Sequence, residues 1–263
     1  MTTGVHMRSL LFLTVVAIFL NCPAAYGQKK EAPRAKRQRQ TIENIVRDYL
    51  LTNPEVVREA MQALEAKEND KKRNEIAAKM SDLRPSILFD AESPVTGNAN
   101  GDISIVVFYD YFCGYCKRTL PDLQALAVSD SSVRIVYKEF PILGTPSVIA
   151  AKASLAAARQ GKFKQFHQAL LASDSASDLA IKAIAEQLNL DYAKLLKDMD
   201  DPAITKAIER NMHLAEALGV EGTPAYLIGD QIVPGAISLE KLTGLIADQR
   251  ARSAKTKHPT SGR

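Results

Sequence analysis

The run ISIVVFYDYF, residues 103 to 112, is β-branched and aromatic, long enough for a central strand, and it ends directly on Cys113. CGYC follows, and from Gly114 to about Val128 the pattern is helical. VRIVYKEF, residues 133 to 140, then reads as a second strand, so the three segments form a βαβ unit with an at least partly parallel sheet. This order puts Cys113 at a helix N-terminus. Unpaired backbone N–H groups and the helix dipole there stabilise a thiolate, so Cys113 is expected to have a depressed pKa and raised reactivity. Cys116, three residues on, falls on the same helical face roughly 5 to 6 Å away, within reach of a disulfide. Gly114 is expected to let the backbone turn tightly between them. The pair suits an exposed attacker, Cys113, and a recessed resolver, Cys116, in exchange through a mixed disulfide.

The N-terminus bears on what the pair is for. Arg8 precedes an apolar run, Leu10 to Leu20, and Ala25 and Gly27 then stand at the spacing a signal peptidase needs, so cleavage is expected after Gly27. The apolar run is well short of the ~20 residues of a membrane-spanning helix, which argues against stable membrane insertion. Cys22 as a lipidated cysteine is the alternative, with Asn21 where a small residue is expected. The mature chain then holds only Cys113 and Cys116, in a periplasmic, oxidising compartment. A staple between residues three apart closes almost no loop and stabilises weakly. Zinc needs four ligands, and there is no second CxxC; His167, His213 and His258 show no ligand spacing. Redox exchange is the favoured reading, with no metal and no cofactor expected.

The chain has 263 residues, 46% hydrophobic and 24% charged, with a formal charge of +4, which suits a globular domain plus a smaller appendage. Residues 28 to 40 carry the run QKKEAPRAKRQRQ, which reads as a solvated basic linker rather than a nucleic-acid contact. Residues 41 to 85 read as a helical stalk. Ile42, Ile45, Val46, Tyr49 and Leu50 make one apolar face, Asn53-Pro54 opens a second helix as N-cap and first turn, and Val56, Val57, Ala60, Met61 and Leu64 share a side of it. EAKENDKKRNE, from Glu65, has no apolar face, so it is a solvent-bridging helix or a flexible linker, before Ile76, Met80 and Leu83 resume a stripe. So short a segment cannot fold alone. Its faces either pack on the main domain or pair with copies of themselves, and the polar stretch favours a homo-oligomer.

The main domain is expected over 86 to 252. SILF, from Ser86, reads as a short strand and SPVTGNANGD as a loop. From Gly144 to Gly219 the pattern is helical, with Ser177 and Asp191 as N-caps and Asp201-Pro202 opening a helix that Gly219 stops. PAYLI and QIVPG flank Gly229-Asp230 as a hairpin, SLEKLTGLIADQRA is a closing helix, and 253 to 263 reads as a disordered tail.

Strand, CGYC, helix, a helical insertion, then GTPAYLI and a hairpin resembles the thioredoxin superfamily, and within it the DsbA-like branch. The insertion that branch carries would account for the roughly 80 residues between the second strand and Pro224. The resemblance implies a cis Pro224 beside the active-site sulfur, with the Thr223 backbone turned toward a client strand and stray metals kept off the cysteines. Typical DsbA oxidases carry Pro-His between the cysteines and valine before the proline, whereas this chain has Gly114-Tyr115 and Thr223. Without the histidine a milder potential is expected. Gly-Tyr with Thr-Pro looks more like DsbC-type isomerases, which however dimerise through a β-rich domain. ScsC-like proteins combine these features with a helical stalk that can trimerise, and IENIVRDYLLTNPEVVREAMQALE is similar to that stalk.

The resemblance implies an exported thiol-disulfide oxidoreductase, an isomerase or reductase more than a primary oxidase, with Cys113 as nucleophile, Cys116 as resolving cysteine and Gly114, Tyr115, Thr223 and Pro224 meeting the client. Its expected partners are misfolded exported proteins, a redox partner protein and copies of itself. A DsbA-type oxidase is the alternative, and a chaperone or metal-binding protein with an incidental CxxC is the alternative of another class. Tyr109, Tyr111 and Phe112 read as core or rim aromatics, Asp110 as a strand end or a tuner of the thiol, and Lys138 and Glu139 as residues facing opposite sides, neither assigned to the site.

Overall fold

The structure, a computed structural model, describes residues 33–257. The expected leader, Cys22, the start of the basic linker and the end of the tail lie outside the described residues. The chain divides after Leu64 into two compact units.

In the first unit, α1 (Pro33–Thr52) is followed by the opening turns of α2 (Glu55–Leu88). The expected linker is helical from Pro33 on. Proline is suited to the first helical position, and the Arg, Lys and Gln residues after it are good helix formers with no glycine among them. Asn53, expected to cap α2, joins the two helices: its backbone N–H and its Nδ2 both donate to the Tyr49 carbonyl, at 2.8 and 2.9 Å, and its own carbonyl accepts from Val56 N at 3.2 Å. Ile42, Ile45, Val46 and Tyr49 on α1, and Val57, Met61 and Leu64 on α2, are exposed.

In the second unit the elements after α2 are β1 (Val95–Gly97), β2 (Ile103–Tyr109), α3 (Gly114–Ser129), β3 (Val133–Glu139), α4 (Thr145–Arg159), α5 (Phe163–Ala172), α6 (Asp178–Gln187), α7 (Tyr192–Met199), α8 (Pro202–Ala217), β4 (Ala225–Ile228), β5 (Gln231–Pro234) and α9 (Leu239–Lys257). The sheet order is β1-β3-β2-β4-β5, with β2 and β3 parallel and the other pairs antiparallel. This is the α/β class expected, a βαβ unit and a closing hairpin separated by a helical insertion. Both faces of the sheet are covered, which is why β2 is apolar at nearly every position rather than alternating. Ile105, Val107 and Tyr109 face a core shared with α3 to α9, while Val106 and Phe108 face a second core with α2 and the end of α8.

The SILF segment is not a strand. Ser86 to Leu88 complete α2, because Ile76, Leu83 and Ile87 repeat at helical spacing and bury together against Leu214, Leu218 and Phe140 in that second core. The polar stretch from Glu65 is likewise helix, and the end of α2 packs on the main domain. The loop from Ser93 contains the short edge strand β1. In the insertion Ser177, Asp191 and Asp201 each accept a backbone N–H of the first turn, and Gly219, at φ 68°, ends α8. Gly229, at φ 65°, makes the two-residue hairpin turn. The last helix runs past Ser253, expected to begin a disordered tail, to Lys257, since no glycine or proline interrupts SAKTK.

Ile87 is fully buried. Replacing it with alanine should destabilise this unit by about 2 to 5 kcal/mol in urea unfolding, the range for large-to-small core changes; a loss below about 0.5 kcal/mol would place the end of α2 outside the core.

Candidate functional site

The parallel β2 ends at Tyr109, and the chain crosses the top of the sheet through Asp110, Tyr111 and Phe112 before entering α3. Cys113 is the N-cap of α3, extended at φ −79° and ψ 112°; its own N–H donates to the Asp110 carbonyl at 3.2 Å. β4 pairs with β2 on the other side, Ala225 opposite Phe108, so the residues just before Ala225 arrive beside Cys113. The Thr223-Pro224 bond is cis, and the Cys113 thiol donates to the Thr223 carbonyl at 3.2 Å. Two segments 110 residues apart thus meet at one sulfur.

Both cysteines are reduced, and both are buried, Cys113 at 7% exposure and Cys116 at 4%. The expected contrast between an exposed and a recessed sulfur is therefore small by exposure. Burial pushes the Cys116 thiol far above its usual range, since charging it would desolvate the anion. Gly114 does not have a positive φ, and a Cβ there would meet only Arg118 Nη1 at 3.7 Å. Glycine is thus not required for the turn, and its effect is to leave the surface beside Cys113 bare. Tyr115 is 59% exposed, with the Arg118 guanidinium 4.2 Å above its ring.

Asp110 is buried and holds two loops together. Its Oδ1 accepts from Phe112 N at 2.8 Å and Ser147 Oγ at 2.8 Å, and its Oδ2 from Ile142 N at 2.9 Å and Leu143 N at 3.0 Å. The cysteine turn and the loop after β3 are fixed to one carboxyl group. Leu143 and Ile142 are exposed, which gives an apolar rim with Tyr115.

Beneath the cysteines lies a buried polar cluster that sequence reasoning left unassigned. Glu139 and Lys138 do face opposite sides. Lys138 donates to Ser86 O at 2.6 Å and Ser93 Oγ at 2.7 Å on the α2 side. Glu139 lies on the cysteine side, where the Tyr109 hydroxyl donates to it; Tyr111 donates to Ser154 Oγ at 2.6 Å and lies 2.8 Å from His167 Nδ1. The rings of Tyr109, Tyr111, Tyr137 and Phe163 all pack on the His167 imidazole. A cavity of about 10 Å³, near the size of one water, lies between this cluster and Cys116. Burial raises the Glu139 carboxyl to about 8 and lowers His167 to about 3, so near pH 6 both are uncharged. The sequence signal was the charged Lys138-Glu139 pair at the end of a β-branched and aromatic strand. Among the described residues no three His, Cys, Asp or Glu side chains converge as metal ligands would.

With this geometry in hand, residues 104–247 match the family of the DSBA-like thioredoxin domain, and residues 38–71 match the copper resistance protein ScsC N-terminal domain. A solved thioredoxin-like oxidoreductase from Silicibacter pomeroyi is 42% identical, covering 65% of this chain and 98% of that one at a TM-score of 0.61. Proteus mirabilis ScsC, solved in a transitional conformation, is 30% identical, covering 82% of this chain and 99% of that one at a TM-score of 0.61. Among curated proteins, the Na(+)/H(+) antiporter NhaA 3 of Salinispora tropica is 29% identical over 172 residues, 64% of this chain. The chain spans only about a quarter (26%) of that relative's length.

The buried pair predicts a pH profile. The folded state holds the Glu139 proton up to about pH 8, whereas the unfolded chain releases it near 4.5, so this contribution is complete below 4.5 and lost as pH rises through 8. His167 acts oppositely, costing stability as pH falls from 6.5 toward 3. From pH 6.5 to about 7.5 Glu139 dominates, and urea unfolding should weaken by up to ~1.4 kcal/mol per pH unit; nearer pH 8 the Lys138 ammonium, lowered to about 8 by burial, starts to lose its proton in the folded state and opposes that slope. Glu139→Gln should flatten that limb; an unchanged slope would show that Glu139 is already ionised.

Proposed function

Because this chain belongs to the DSBA-like thioredoxin domain family, we propose that it is an exported, periplasmic thiol-disulfide oxidoreductase acting on protein disulfides, in the isomerase or reductase direction rather than as a primary oxidase. The observation that carries this reading is the meeting of the Cys113 thiol with the Thr223 carbonyl at the N-terminus of α3. A sulfur that reacts with proteins needs a neighbouring backbone edge to hold the client strand, and Thr223-Pro224 provides one.

In this mechanism the Cys113 thiolate attacks one sulfur of a client disulfide. The Cys113–client bond forms, the client S–S bond breaks, and the other client sulfur leaves as a thiolate. For isomerisation a second client thiolate attacks the client sulfur of the mixed disulfide, forming a new client disulfide and returning Cys113 as thiolate with no net redox change. For reduction the Cys116 sulfur, having given up its proton, attacks Cys113, the client leaves as a thiol, and a redox partner protein reduces the Cys113–Cys116 disulfide. The raised Cys116 pKa favours the first course, because the resolver is seldom ionised and the mixed disulfide persists. Gly114-Tyr115, with no histidine to stabilise the Cys113 thiolate, supports the same direction. Tyr115, Ile142 and Leu143 would supply the apolar grip.

The exposed apolar stripes of residues 42–64 support self-association through the stalk. Several sites on one oligomer would hold a misfolded client while its disulfides are probed. Among the described residues no helix is long and apolar enough to cross a membrane.

Cys113→Ser should abolish refolding of a scrambled-disulfide client; full retained activity would favour a chaperone with an incidental CxxC. Replacing Gly114-Tyr115 by Pro-His should make the pair more oxidising against glutathione by ~30 mV or more. A wild-type potential already matching that variant's would favour the oxidase. Deleting residues 28–64, which spares the buried part of α2, should lower the particle mass in light scattering to that of a single chain, and an unchanged number of chains per particle would exclude the stalk as the oligomerisation element.

A further inference from the structure

The end of the sheet remote from the cysteines carries a second candidate site. β2 enters at Ile103 and spans seven residues to Tyr109, so the two ends are ~20 Å apart. Around the entry end is a cleft of about 590 Å³, within the ~300 to 1,000 Å³ range of small-molecule sites. Its floor includes Ile103, Val106 and Leu227, all buried and apolar, and its walls include Arg84, Phe89 and Arg134.

The charges in this cleft are unevenly matched. Arg250, also in the wall, is fully engaged by Asp102, at 2.7 and 2.9 Å, and by Asp130, at 2.7 and 3.2 Å. Among the described residues no acid pairs with Arg134. Its Nη2 donates to the Leu88 carbonyl at 2.7 Å, which caps the C-terminus of α2, but its Nη1 is buried and makes no hydrogen bond among the described residues. The cap accounts for one side of the guanidinium and leaves the other unexplained. The carbonyl and the Phe89 ring, whose centroid is 5.6 Å from Cζ, hold the group in place. That ring is itself 66% exposed although it borders an apolar floor.

A guanidinium with no paired acid among the described residues, a second arginine on the same cleft, and an open aromatic face over an apolar floor suit one kind of molecule. The carboxylate of such a ligand would be drawn to the Arg134 guanidinium, whose Nη1 no described residue satisfies, with Arg84 adding attraction, and its flat apolar part would cover Phe89 and the floor. We infer that this cleft binds a small organic carboxylate with a planar apolar body, an aryl carboxylate, at a site separate from the cysteine pair.

The test uses the full chain and benzoate, followed by backbone amide NMR, with inorganic phosphate as the anion without an apolar body. Benzoate should give saturable shifts at Ile103, Ser104, Arg134 and Leu227, and phosphate should bind at least several-fold more weakly. Arg134→Gln should weaken benzoate by about tenfold or more, as expected for losing hydrogen bonds to a charged group. Because Arg134 also caps α2, Arg84→Gln, at an exposed position, provides a second variant that leaves the cap intact; it should weaken benzoate several-fold with unchanged unfolding. Shifts that do not saturate, equal affinity for phosphate, or benzoate binding unaffected by Arg84→Gln and by a folded Arg134→Gln would each overturn the assignment.

Discussion

The register of β2 between β3 and β4 is the constraint on which the site depends. Pairing Tyr109 with Glu139 on one side and Phe108 with Ala225 on the other brings the ends of three strands to the same edge. From that edge the chain delivers Cys113 at the start of α3, the 140–143 loop beside Asp110, and Thr223 against the sulfur. A slip of one residue would exchange the two faces of β2, turning Tyr109 toward α2 and Phe108 toward the cysteines. Both faces are buried, so such a slip has no tolerable outcome, and the register is held by the cores rather than by the turns.

Asp110 and the Glu139 cluster at this edge are buried but satisfied. Asp110 accepts four hydrogen bonds and so ties the cysteine turn to the apolar rim that would meet a client. The Glu139 cluster is handled by protonation instead: with the acid neutral and the imidazole neutral, the tyrosine and serine hydroxyls link them without a buried net charge.

The helix α2 belongs to two settings. Its first turns display apolar side chains to solvent, and its last turns bury Ile76, Leu83 and Ile87 in the core under the sheet. Arg134 and Lys138 reach from β3 to the carbonyls of Leu88 and Ser86, so the helix end is fastened by hydrogen bonds as well as by packing.

The sequence by itself determined the βαβ unit, the CGYC pair at its junction, the helical insertion with its caps and the hairpin after Pro224, because each rests on local periodicity, turn residues and short spacings. It misread Ser86 to Phe89, where Ile87 and Leu88 suit a strand until Ile76 and Leu83 supply the helical face that buries them. It assigned Gly114 a steric role that the backbone does not need. Only the tertiary structure decided that Glu139 and His167 form a neutral cluster behind Cys116, that Asp110 clasps a loop 32 residues away, and that Arg134 lines a cleft with no acid paired to it among the described residues. Hydrogen bonding and desolvation depend on which distant segments meet, and no spacing along the chain encodes that meeting.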